Sequence, residues 1–142
     1  MKRLNVCLIL SGFLFAVLLS SCGGSGAGGG ILSKTPSDVV KTALNNLKAK
    51  DYPGVIKYYV RKDGVAFTKE DTQKFNGLCA WASQEYDKKQ GLKEVQIIEE
   101  KISDDGNTAT VKYKLLFNNN TDSEDKVNLK KVNGDWFMVI GN

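Results

Sequence analysis

The spacing of apolar residues changes once along this chain, at Leu92, and no other feature constrains the fold as strongly. Before that point apolar residues recur at helical intervals. Val39, Val40, Ala43, Leu44 and Leu47 form one stripe, and Phe75, Leu78, Cys79, Ala82 and Tyr86 form another, with Trp81 on its flank. After it the period is two: Ala109, Val111, Tyr113, Leu115 and Phe117 fall on one face of a strand. A chain that lays down helices first and then strands joined by tight turns pairs those strands antiparallel and packs its helices on one face of the sheet. The expected class is α+β.

Local signals set the boundaries. Thr35-Pro36-Ser37-Asp38 combines a capping residue, a first-turn proline and an acid at the capping-box position, so a helix starts there and ends near Lys50. Asp51-Tyr52-Pro53 starts a second, short helix that carries Val55, Ile56, Tyr58, Tyr59 and Val60. A loop around Asp63-Gly64 leads to Thr68-Lys69-Glu70-Asp71, a second capping-box start, and a long third helix runs to about Gln90 with Gly91 as its stop.

Four strands follow, over residues 92–103, 108–117, 123–132 and 135–140. The first breaks its alternation at Ile97-Ile98, the mark of a bulge. Asp104-Asp105-Gly106-Asn107 reads as a turn, since it lacks the spaced acids of a calcium loop. Asn133-Gly134 is a two-residue type I′ signal that places Val132 opposite Asp135, Lys131 opposite Trp136, Leu129 opposite Met138 and Val127 opposite Ile140. That register brings the apolar sets of both strands to one face, and a one-residue slip would undo it.

The N-terminal residues obey a different logic. Lys2 and Arg3 precede an apolar stretch at residues 6–19, too short to span a bilayer and typical of an export signal. Leu19-Ser20-Ser21-Cys22 then resembles a lipobox, in which small residues admit the signal peptidase and the cysteine thiol takes the lipid. The resemblance to bacterial lipoproteins implies cleavage before Cys22, acylation on that cysteine and anchoring by its acyl chains. Residues 23–30, Gly-Gly-Ser-Gly-Ala-Gly-Gly-Gly, form a tether with maximal backbone entropy, about 15 Å in mean reach. The expected organisation is a signal peptide at 1–21, the lipidated cysteine and tether at 22–32, and one domain at 33–142. Gly23 lacks the aspartate linked to inner-membrane retention, and the tether lacks the acidic run linked to surface export. Both absences point, by resemblance, to the periplasmic face of an outer membrane.

Composition removes several functions. The full chain carries +4, but discarding Lys2 and Arg3 from 20 basic residues leaves 18 against 16 acidic ones, a net +2. With no dense basic block, nucleic acid is not an expected partner. Cys7 leaves with the signal and Cys22 is taken by lipid, so Cys79 stands alone and no internal disulfide forms. The chain contains no histidine, which excludes Cys–His and Ser–His pairs, histidine bases and histidine zinc sites. No catalytic residue, metal or other cofactor is implied.

The segments 39–44 (Val-Val-Lys-Thr-Ala-Leu), 47–52 (Leu-Lys-Ala-Lys-Asp-Tyr) and 132–136 (Val-Asn-Gly-Asp-Trp) together resemble the nuclear-transport-factor-2-like superfamily, the cystatin-like cone folds, over the whole domain. Within it the chain is similar to uncharacterised lipoproteins of Bacteroides-type bacteria whose family name carries a lumazine-binding label. The resemblance implies three N-terminal helices on a curved four-stranded antiparallel sheet, with an opening at the wide end of a cone. Superfamily enzymes place an aspartate or histidine base in that opening. Here there is no histidine, and no inward strand position carries an evident lone Asp or Glu. Asp71 and Asp87 lie off the apolar stripe of the third helix, where a cap or solvent accounts for them.

The aromatic residues Tyr58, Tyr59, Trp81, Tyr86, Tyr113 and Trp136 are the candidates for lining such an opening, where polar-tipped rings suit a small apolar or planar ligand. Filling an ordinary core is the favoured reading for each of them, since aromatics dominate cores. The mixed charges at Lys93, Glu94, Glu99, Glu100, Lys101, Lys112, Lys114, Lys126, Lys130 and Lys131 read as a solvated outer sheet face. The resulting expectation is a membrane-tethered binding or interaction module without catalysis. The alternatives are an isomerase- or cyclase-like enzyme using a pocket carboxylate, and a structural envelope subunit, with a sheet-to-sheet homodimer as the superfamily often forms.

Overall fold

The structure, a computed structural model, describes residues 34–140. The expected signal peptide, Cys22 and the tether lie outside the described residues. Helix α1 (Pro36–Lys48) is followed by the single turn α2 (Tyr52–Ile56), strand β1 (Tyr59–Arg61), helix α3 (Lys69–Lys88) and strands β2 (Leu92–Ile102), β3 (Thr108–Phe117), β4 (Asp122–Val132) and β5 (Asp135–Ile140). The class is α+β, and the sheet is curved and unclosed, in the order β1-β5-β4-β3-β2.

Both long helices start on reciprocal caps. The Thr35 hydroxyl accepts from the Asp38 N–H at 3.2 Å, and the Asp38 carboxylate accepts from the Thr35 N–H at 3.2 Å. Thr68 and Asp71 repeat the arrangement at 3.1 and 3.0 Å. The Ser37 N–H, in the first turn of α1, also donates to the Glu100 carboxylate of β2 at 2.8 Å, fastening the helix's positive end to the sheet.

The strand ladder follows the sequence register closely. Val132 faces Asp135, Lys131 faces Trp136 and Leu129 faces Met138, with Asn133 and Gly134 both at positive φ as the tight turn requires. In β2 the register slips between Ile97 and Glu99, a bulge that bends this edge of the sheet.

The sheet has five strands rather than four. Tyr59 and Val60, expected in the second helix, and Arg61, expected in the loop after it, pair instead in parallel with β5, Tyr59 beside Met138 and Arg61 beside Ile140. The helix stops at Ile56, and the Met138 N–H donates to the Tyr58 carbonyl at 2.8 Å. A short apolar run of this kind fits either element, and a partner some eighty residues away decided between them.

One apolar core lies on the concave face. Val39, Val40, Ala43, Leu44 and Leu47 of α1 meet Ala109, Val111, Leu115 and Phe117 of β3, Leu129 of β4, and Trp136 and Met138 of β5. Helix α1 lies directly against β2, β3 and β5. Helix α3 packs mainly on α2 and α1, and its backbone stays off the sheet. Large side chains bridge the gap. Phe75 meets Tyr59 with ring centroids 4.7 Å apart, and Tyr86 meets Phe117 at 5.4 Å.

Candidate functional site

A helix held away from a sheet by aromatic spacers encloses space. Between α1, α3 and the concave face lies a cavity of about 200 Å³. Tyr59, Phe75, Cys79, Tyr86 and Tyr113 line it with aliphatic side chains of α1, while Leu78 and Ala82 of α3 stand at its side. Every lining residue is apolar or aromatic, and the only polar side-chain atoms among them are three phenol oxygens and one thiol. Leu78 belongs to the expected apolar stripe of α3, yet it is 57 % exposed, because the stripe faces an opening here instead of a filled core.

The environment is dry enough to act on the groups it holds. Burial pushes the Cys79 thiol up to about 11 and the Tyr86 phenol up to about 12. Burial also raises Tyr59 and Tyr113 above the ordinary phenol value, and for Tyr113 the charge of Asp125 adds to it. All four groups therefore stay protonated near neutrality. Cys79 is a neutral thiol with no base beside it, poorly suited to nucleophilic attack.

Asp125 corrects the expectation that no strand acid points inward. It sits directly opposite Tyr113 in the β3–β4 ladder, on the face shared with Val127 and Leu129. It lies where β4 has run past the end of its pairing with β5, so its carboxylate is exposed at the rim, and the Asp125 Oδ1 accepts from the Lys126 N–H at 2.7 Å. Its charge bears on Tyr59, Tyr86 and Tyr113 alike. The two acids of α3 behave as expected: Asp71 caps α3, and Asp87 pairs with Lys50 at 2.8 Å. Glu100, expected on the outer sheet face, instead lies opposite the buried Val111 and accepts from the Ser37 N–H of α1.

The singled-out aromatics therefore divide. Tyr59, Tyr86 and Tyr113 meet around the cavity. Tyr58 points away from it, with its hydroxyl 3.1 Å from the Lys34 ammonium. Trp136 is in the core with the Lys131 ammonium over its ring at 5.0 Å, and Trp81 is 63 % exposed on the outer side of α3. A wider groove, about 490 Å³, runs along β1 and the β4–β5 turn; its walls include Lys57, Thr72, Asn133 and Asp135, so it lacks the apolar and aromatic concentration of the cavity. Among the described residues, no cluster of His, Cys, Asp or Glu is placed to hold a metal ion.

Residues 20–139 match the model of the family described as a domain of unknown function, DUF4878. A crystal structure of a protein described as an NTF2-like transpeptidase from Campylobacter jejuni superposes with a TM-score of 0.65 at 23 % identity, covering 76 % of this chain and 100 % of that one. A SEC-C motif containing protein from Rhodopseudomonas palustris gives a TM-score of 0.49 at 13 % identity, over 76 % of this chain and 77 % of that one. A de novo designed protein with a curved β-sheet gives 0.45 at 13 %, over 73 % and 93 %. No curated protein matches. The Campylobacter structure shows the NTF2-like fold and carries no activity across at this identity.

Proposed function

The chain belongs to the DUF4878 family, an NTF2-like family of unknown function, and on that footing we propose that it is a ligand-binding module. The observation that carries this reading is the cavity itself: apolar and aromatic walls, three protonated phenols, and no paired nucleophile and base. Small-molecule sites have this character, a mainly apolar concavity with a few convergent polar groups. An apolar cavity of about 150 Å³ accepts benzene, so this one suits a single ring with a short chain or a small fused planar ring.

The module is held, in this reading, on the periplasmic face of an outer membrane by acyl chains on Cys22, as in the Bacteroides-type lipoproteins that the N-terminal residues resemble. A lumazine-like planar ring is one ligand compatible with the cavity's size. The full chain, extracted from membranes in detergent and examined by native mass spectrometry, should retain a small molecule that is lost in Ala82→Phe, where the new ring fills the opening. A wild-type chain without any adduct would count against the module. Cys22→Ala should abolish acyl labelling and release the chain from membranes; retention on membranes would overturn the anchor.

Asp125 favours a second reading, an isomerase-like enzyme with that carboxylate as base and the phenols as donors to a developing oxyanion. Its test is solvent deuterium exchange into an enolisable ketone, which the wild type would catalyse and Asp125→Asn would not. The exposure of Asp125 favours the binding reading, because a solvated carboxylate at a rim is a weaker base than one held in a dry pocket.

A further inference from the structure

We infer that the cavity selects an organic cation, an amine or quaternary ammonium whose apolar body lies between α3 and the sheet and whose charge meets Asp125. This rests on the binding reading above and names the ligand's chemical class. The cavity lining contains no charged residue, so nothing inside it compensates an anion. What it presents instead is ring surface from Tyr59, Phe75, Tyr86 and Tyr113, and ring faces carry the negative side of the aromatic quadrupole.

Asp125 gives the rim its sign. The β3–β4 register sets it beside Tyr113, which itself lines the cavity, and alternation along β4 turns it to the same face. Among the described residues Asp125 enters no ion pair. Two cations flanking the cavity walls are engaged elsewhere. Arg61 of β1 pairs with Asp63 at 3.0 Å, and the Lys89 ammonium lies over the Phe117 ring at 4.3 Å. An anionic ligand would therefore meet no cation in the lining and a carboxylate at the rim. A neutral ligand would gain burial alone, whereas a cation gains burial, ring faces and a counter-charge together.

Isothermal titration of the full chain in an uncharged detergent, with the micelle blank subtracted, separates these cases. The probes are phenethylammonium, the neutral 2-phenylethanol and the anionic 3-phenylpropanoate. The cation should bind about five- to tenfold more tightly than the alcohol, the range expected of a partly exposed charge contact joined to cation–π attraction, and the carboxylate should not bind. Asp125→Asn should erase the preference and leave 2-phenylethanol unchanged, while Asp125→Glu should keep it. Asp125 is exposed, so both variants should melt like the wild type in circular dichroism. If the alcohol binds as well as the cation, or Asp125→Asn leaves the preference intact, the cation inference falls and the binding module stands. If none of the probes binds, both fall.

Discussion

Helices α1 and α3 face the same concave sheet and treat it in opposite ways. Over 13 residues α1 buries Pro36, Val39, Val40, Ala43, Leu44 and Leu47; over 20 residues α3 buries only Phe75, Cys79 and Ser83. The shorter helix buries more because its backbone lies directly on the strands. The longer one is propped off them by Phe75 and Tyr86, and so it exposes Leu78 beside a cavity. Stability and ligand space are thus assigned to different helices. Filling the gap under α3 would strengthen the core and abolish the site.

The largest expected effect tests that division directly. Val40→Ala removes two carbons from a side chain that is 0 % exposed and should cost about 2 kcal/mol, the transfer term of about 0.8 kcal/mol per buried carbon plus the void left behind. Leu78→Ala removes three carbons from a side chain that is 57 % exposed and should cost under about 1 kcal/mol. Urea midpoints at constant slope would measure both. Equal losses would mean that α3 is packed as tightly as α1, and that the cavity closes in solution.

Alkaline pH probes the same contrast from inside the cavity. Cys79 rises from 9.0 to about 11 and Tyr86 from 10.0 to about 12, chiefly through burial. A folded-state pKa above the unfolded one means that the native state holds its proton longer. The stability linked to these groups is therefore complete below pH 9. It declines across pH 9–11 for Cys79 and across pH 10–12 for Tyr86. Tyr86→Phe should flatten the decline above pH 10, and Cys79→Ala should flatten it from pH 9. Melting temperatures taken between pH 8 and pH 11.5 would show this. A wild-type curve with no alkaline slope would mean that water fills the space and solvates the phenolates.

These features were unequally legible in the sequence, for a physical reason. The caps at Thr35 and Thr68, the bulge after Ile97 and the hairpin at Asn133-Gly134 each depend on residues a few positions apart, so spacing alone located them. Strand β1 depends on β5, whose residues lie far along the chain, and nothing within residues 59–61 reports that partner. Asp125 was within reach and missed. With Val127 and Leu129 turned inward, the residue two before Val127 must also turn inward, but the neighbouring Lys126 and Lys130 read as a solvated outer face and draw attention from it. The stand-off of α3 was not legible at all. Helical spacing shows which face of α3 is apolar, and it places Leu78 on that face, but it does not encode how far the helix sits from the sheet. The sizes of Phe75, Tyr86 and their sheet partners set that distance.

The smallest expected effect concerns the two tryptophans, which report on the two sides of the comparison. Trp136, in the sheet, is 7 % exposed, and Trp81, on the outer side of α3, is 63 % exposed. Trp81→Ala should change stability by no more than about 0.5 kcal/mol, the range of surface substitutions away from packed contacts. The spectroscopic consequence is larger than the energetic one. Acrylamide should quench the wild-type fluorescence in two classes, an accessible one from Trp81 and a protected one from Trp136. Trp81→Ala should leave the protected class alone. A single protected class in the wild type would mean that something covers Trp81, and the outer face of α3 would then be a contact surface instead of the free side of a cavity wall.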